Sequence, residues 1–143
     1  MESHPRTVIT FGTFDCLHKG HVRIFERIKS MFPNCKLVVG VSSDALNIAK
    51  KSRAPIIPQE DRLYMIDAIR HVDAVFVEES LELKVEYCLR YAAELLIMGS
   101  DHVGKFDFVE QETLRKCKVQ YSERTPSVST TGIIETVLVN HSS

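Results

Sequence analysis

Short, continuous apolar runs alternate along this chain with longer stretches in which apolar residues recur every three or four positions. Residues 7–11 are rich in β-branched side chains and read as a strand running into Gly12 and a loop. From about Gly20, Val22, Phe25, Ile28 and Phe32 fall on one side of a helix, which Pro33 and Asn34 stop. Residues 36–41 are almost wholly apolar, the pattern of a strand covered on both faces. Residues 42–49 predict a short helix capped by Ser42 or Ser43, and residues 50–57 a basic, irregular stretch. Pro58 stands at or just before the next helix, which turns Leu63, Ile66, Ile69 and Val72 inward. Further strands are expected at 74–77, 95–98 and 119–121. A helix over 81–93 should bury Val85, Cys88, Leu89 and Ala92. A closing helix over 129–139 should bury Ile133, Ile134, Val137 and Leu138.

Strand and helix thus take turns. Parallel strands need crossover helices, so this order predicts an α/β fold: a Rossmann-like open parallel sheet of about five strands with helices on both faces. Crossovers are right-handed, and ligands in such sheets bind outside the carboxyl ends of the strands at the switch point. With 143 residues and no linker, repeat or low-complexity segment, the expectation is a single domain spanning residues 1–143. Residues 141–143 read as a disordered tail.

Composition narrows the function classes. Hydrophobic residues make up 44% and charged residues 26%, with a formal net charge of -1. That argues against a general nucleic-acid or membrane-surface binder. No apolar run approaches the roughly 18 residues that span a bilayer, and the polar start lacks a signal-peptide core. Cys16, Cys35, Cys88 and Cys117 have no CxxC spacing. Three of them sit beside apolar sequence as small core fillers. A reducing, cytoplasmic setting is expected.

The richest chemistry lies in GTFDCLHKGH, residues 12–21, between the first strand and the first helix. His18 and His21, three apart at a helix start, project to the same side. The helix start adds unpaired N–H groups and partial positive charge, and Gly20 lets a phosphate come close to the backbone. Together these groups suit an anionic phosphorus centre. The segment lacks the GKS or GKT of a Walker loop. Two histidines with no third ligand at useful spacing give no zinc site. A second cluster, RTPSVST at 124–130, places Ser129, Thr130 and Thr131 where the last helix should begin, with Arg124 as a bidentate phosphate donor.

The first segment resembles the GTFDxxHxGH signature of the cytidylyltransferase family, within the wider HxGH nucleotidyltransferases. The second resembles the RTxGxST motif of cytidylyltransferases that make glycerol-, choline- and ethanolamine-linked nucleotides. It departs from that motif at Pro126 and at Ser127, which replaces the motif glycine. Related adenylyltransferases generally lack the arginine–threonine pair, which favours CTP over ATP. KKSRAPIIPQEDR, residues 50–62, resembles the family's lysine loop and the helix carrying its arginine. Residues 70–73, RHVD, are similar to an RYVD segment near the acceptor site and dimer interface. Residues 98–108, MGSDHVGKFDF, closely resemble the MGxDxxGKFDF stretch of glycerol-3-phosphate cytidylyltransferases. Against that branch, residues 32–34 and 39–41 are similar to the choline branch, and several residues are inserted between Lys105 and Arg124.

The resemblance implies transfer of the cytidylyl group of CTP to a small phosphorylated alcohol, with loss of pyrophosphate. Glycerol 3-phosphate leads as acceptor, with phosphoethanolamine and phosphocholine as alternatives. An adenylyltransferase and a non-catalytic nucleotide-binding subunit are more distant ones. Catalytic roles would fall to His18, His21, Lys50 and Arg124. Gly12, Thr13, Phe14, Gly20, Gly99, Asp101, Arg124, Thr125, Ser129 and Thr130 would hold the nucleotide. Lys50, Lys51, Arg62, Arg70 and Lys84 would hold the acceptor, and the two adjacent lysines stay unresolved between them. Asp15 is available near the nucleotide. Mg²⁺ is expected to accompany CTP, bound by phosphates and water rather than a protein cage. A homodimer is implied, with no nucleic-acid or membrane partner.

Overall fold

The computed structural model describes residues 4–123, together with Ile134 and Leu138. Its strands are β1 (Thr7–Gly12), β2 (Lys36–Ser42), β3 (Ala74–Glu78), β4 (Leu95–Gly99) and β5 (Lys118–Ser122). They form one parallel sheet in the order β3-β2-β1-β4-β5. The helices are α1 (Lys19–Met31), α2 (Asp44–Lys51), α3 (Gln59–Asp67), α4 (Lys84–Arg90) and α5 (Phe108–Glu112).

The continuous apolar strands follow from helices on both faces. Successive residues of a strand point to opposite sides. Val8 packs into a cluster with Phe25 of α1 and Ile66 of α3. Its neighbour Ile9 packs with Cys88 of α4 and Val109 of α5 on the other face. With both faces covered, the central strands are apolar almost throughout, and the buried Thr10 of β1 satisfies its hydroxyl by donating to the Ile97 carbonyl of β4. Cys35, Cys88 and Cys117 are buried, Cys16 is half-buried, and all four are free thiols. Among the described residues no helix is long and apolar enough to cross a membrane.

Several elements differ from the pattern reading. Residues 81–83 form a 3-10 turn, and α4 is the shorter Lys84–Arg90. Its buried face is Lys84, Tyr87 and Cys88; Leu89 is exposed and Ala92 lies beyond the helix in a left-handed conformation. A lysine on the inner face defeats a hydrophobic template, which shifts the apparent stripe by one residue. Ile69 and Val72 do pack inward, but from the turn after α3. Lys50 and Lys51 belong to the last turn of α2, whose cap is Ser43. The 3-10 turn Ser100–His102 and the five-residue α5 had no sequence signal, being too short to show a period. The closing helix over 129–139 lies outside the described residues, apart from Ile134 and Leu138, which are helical.

Gly40 of β2 stands between Phe11 of β1 and Phe76 of β3 in the sheet register. The two rings meet edge to face, 5.8 Å between centroids, over the glycine. A Cβ there would lie 2.5 Å from the Phe11 ring and 2.7 Å from that of Phe76. Gly40→Ala is therefore expected to cost about 1–3 kcal/mol by overpacking. Urea unfolding checks this, and an unchanged midpoint would show that the rings yield freely.

Candidate active site

The sheet order reverses between β1 and β4, since β2 and β3 lie to one side and β5 to the other. Carboxyl ends at such a reversal leave a crevice. A cleft opens there, lined by Gly12, Thr13 and Phe14 after β1, and by Met98, Gly99 and Asp101 at the end of β4. His21, Lys51, Ile56 and Ile134 are among the residues of its other walls.

His18 and His21 are fixed by each other's backbone. His18 is the N-cap of α1, and its Nδ1 accepts the Gly20 N–H at 3.0 Å. His21 Nδ1 accepts the His18 N–H at 3.2 Å. This is a reciprocal capping box made with imidazoles. The rings stack with centroids 3.7 Å apart. With Nδ1 accepting in both, the neutral rings carry their proton on Nε2. Burial lowers the His21 pKa to about 4, helped by His18 and opposed by Asp15. Near neutral pH His21 is a neutral donor. The Gly20 N–H is taken up in orienting His18.

The loop between β1 and α1 is strained and strapped down. Phe14 and Cys16 have φ of 54° and 51°, in a region non-glycine residues avoid. Arg62 of α3, 1% exposed, holds the loop: Nη1 donates to the Thr13 and Ser42 carbonyls, both at 2.8 Å. Its Nε donates to the Ile57 carbonyl and its Nη2 to Asp44 Oδ1. Arg62 thus departs from the expected acceptor contact, because these bonds commit its guanidinium to the scaffold. The Asp15 carboxylate accepts the N–H groups of Cys16, Ile56 and Ile57, tying the segment before α3 to the same loop. Thr13 Oγ1 bonds Asn47 Oδ1 of α2 at 2.9 Å. The Phe14 ring packs inward against Phe25, 5.3 Å between centroids. Sequence reasoning did not assign Asn47, Asp44 or the backbone of residues 56 and 57, since their part is supportive and shows only across elements.

On the opposite wall a Cβ at Gly99 would lie 2.7 Å from Asp101 Oδ1, so only glycine leaves that carboxylate its place. The following loop is anchored by Tyr121 of β5, whose hydroxyl accepts the Phe106 N–H and donates to Asp107.

The basic residues separate. Lys51 lines the cleft. Lys50, its neighbour on α2, lies within electrostatic reach of Glu78 and Lys84. Lys84, 2% exposed, pairs with the Glu78 carboxylate at 3.0 Å. Arg70 is exposed in the turn preceding β3, at the amino end of the sheet. The cleft is at the carboxyl ends, so within one chain the structure does not bring Arg70 to it. Arg124, Thr125, Ser129 and Thr130 lie outside the described residues. Ile134, five residues beyond Ser129, is one of the cleft walls.

No group of three His, Cys, Asp or Glu side chains that could hold a metal occurs among the described residues.

A family model described as cytidylyltransferase-like matches residues 9–136. A glycerol-3-phosphate cytidylyltransferase from Bacillus subtilis is 38% identical over 92% of this chain and 97% of its own length. One from Staphylococcus aureus is 35% identical, covering 90% and 92%. An FAD synthase from Pyrococcus horikoshii is 32% identical over 78% of this chain and 71% of its own. Among solved structures, a lipopolysaccharide core biosynthesis protein from Thermoplasma volcanium superposes with a TM-score of 0.68 at 20% identity, covering 85% of this chain and 97% of that one. That likeness is one of fold.

The depressed His21 pKa makes a pH prediction. The unfolded chain binds the His21 proton below about 6.5, whereas the folded chain resists it down to about 4. Stability from this group is therefore complete above pH 6.5 and is lost as pH falls towards 4. His21→Asn, which keeps an acceptor near the Nδ1 position, should flatten that acid limb in denaturation series between pH 7 and 4. An identical slope in both proteins would assign the acid loss elsewhere.

Proposed function

The chain belongs to the cytidylyltransferase-like family, and from that premise we propose that it transfers the cytidylyl group of CTP to glycerol 3-phosphate, releasing pyrophosphate and forming CDP-glycerol. The observation that carries the reading is the reciprocal imidazole cap of the strand-to-helix loop, which fixes both rings through their Nδ1 atoms and sets His21 in the wall of the switch-point cleft. The relatives named for this reaction span nearly the whole chain, which supports the acceptor.

An oxygen of the acceptor phosphate attacks the α-phosphorus of CTP in line, its P–O bond forms, and the α–β bridging oxygen leaves with pyrophosphate. The acceptor oxygen is already ionised near neutral pH, so no strong base is required. Catalysis then rests on positioning and on stabilising charge that builds on the α-phosphoryl oxygens. His18 and His21 donate to those oxygens. Gly12, Thr13, Phe14 and Gly20 shape the loop beneath the nucleotide. Asp101, held against Gly99, accepts from the exocyclic amine of cytosine, which uracil lacks. Arg124, Thr125, Ser129 and Thr130 hold the β- and γ-phosphates, and Ile134 in the cleft wall supports a C-terminal approach to the site. Lys50, Lys51 and Lys84 supply positive charge for the acceptor and the pyrophosphate. Mg²⁺ bound with CTP would supply neutralising charge at the phosphates. The enzyme works as a cytoplasmic homodimer, in which the exposed Arg70 has its place near the second subunit.

His18→Ala and His21→Ala are each expected to lower kcat/KM by about 10²–10³-fold with folding intact, the usual loss of one preorganised donor. Pyrophosphate release is measured with CTP or ATP against glycerol 3-phosphate, phosphoethanolamine and phosphocholine. Turnover is expected with CTP and glycerol 3-phosphate. Preference for another acceptor or for ATP, or CTP binding without pyrophosphate release, would overturn the assignment.

A further inference from the structure

At the carboxyl end of β3, Glu78 is 1% exposed and lies beside Ser42, its register partner on β2. Ser42 Oγ donates to Glu78 Oε1 at 3.3 Å, and the Ser43 N–H donates to the Glu78 carbonyl. Its other oxygen pairs with Lys84 from the first turn of α4. The Lys84 ammonium is further enclosed by aromatic faces: it lies 4.0 Å from the Phe11 ring centroid and 4.6 Å from that of Phe106. Phe106 belongs to the loop that carries Asp101 into the cleft. Lys50, in the last turn of α2, lies within electrostatic reach of the same carboxylate.

A buried ion pair adds little to stability over an apolar pair of similar volume, because desolvation offsets the attraction. Its presence beside the cleft needs another reason. Burial pushes the Lys84 ammonium towards its neutral form, and Glu78 opposes this; burial likewise lowers Lys50, with Glu78 again opposing and Lys51 and Lys84 adding to the fall. A lysine that gave up its proton could not hold a phosphate. The Glu78 carboxylate favours the charged form of both lysines.

We propose that Glu78 is a positioning residue for the acceptor phosphate: its buried carboxylate orients the Lys84 ammonium of α4, which takes the phosphomonoester next to the nucleotide. This rests on the proposed acceptor role of Lys84.

The test is a steady-state split. In Glu78→Gln, the KM for glycerol 3-phosphate is expected to rise about 10- to 100-fold, the worth of one charge-assisted hydrogen bond, while the KM for CTP stays within about twofold. In a Lys84→Gln background the same change should move the acceptor KM by less than about twofold, because the residue it acts through is already gone. Glu86→Gln, on the exposed face of α4, should change neither KM. Equal rises in both KM values, a fall in kcat alone, or additive effects in the double variant would reduce Glu78 to a structural role. Should Glu78→Gln not fold, Glu78→Asp keeps the charge with a shorter reach and carries the same split at smaller size; KM values moving together there overturn the proposal. Failure of the function itself would appear separately, as wild-type protein releasing no pyrophosphate from CTP and glycerol 3-phosphate.

Discussion

A single buried guanidinium holds the cleft in shape. Arg62 reaches from α3 to the carbonyls of Thr13, Ser42 and Ile57 and to the carboxylate of Asp44. Those groups belong to the loop after β1, the end of β2, the segment before α3 and the start of α2. Each is a chain segment that would otherwise have to satisfy a carbonyl in a water-poor crevice. Charge-assisted bonds of this kind are worth about 1.5–3 kcal/mol each, enough to hold the left-handed backbone at Phe14 and Cys16, where strain costs about 1–3 kcal/mol per residue. Asp15 performs the complementary task with the opposite charge, gathering three N–H groups from both sides of the same loop.

This scaffolding lets the histidines be simple. Their Nδ1 atoms are consumed in capping α1, so neither ring needs a carboxylate partner to fix its tautomer. A neutral His21 near neutral pH brings hydrogen-bonding capacity to the cleft without adding a charge. Positive charge lies on α2 and α4 instead: Lys51 lines the cleft, and Lys84 is buried against Glu78. Directed donors near the reacting phosphorus and diffuse positive charge around the phosphates make a division of labour suited to phosphoryl chemistry, where positioning and electrostatics dominate.

Sequence alone determined the sheet, because buried parallel strands and amphipathic crossovers each leave a period that survives without any tertiary knowledge. It also located residues 12–21 as a loop between a strand and a helix start with two histidines on it, because that setting is local. It failed wherever a residue's partner is far along the chain. Lys84 looked like one lysine on a helix surface, and only packing put it under Phe11 and Phe106 beside Glu78. Arg62 looked like a ligand for phosphate until its donors were found occupied by four protein segments. Lys50 and Lys51, adjacent and chemically alike, parted only when α2 turned one towards the cleft and the other towards Glu78. Local pattern encodes elements and their caps; which charges meet in a low-dielectric interior is a property of long-range contacts, and only the folded chain decides it.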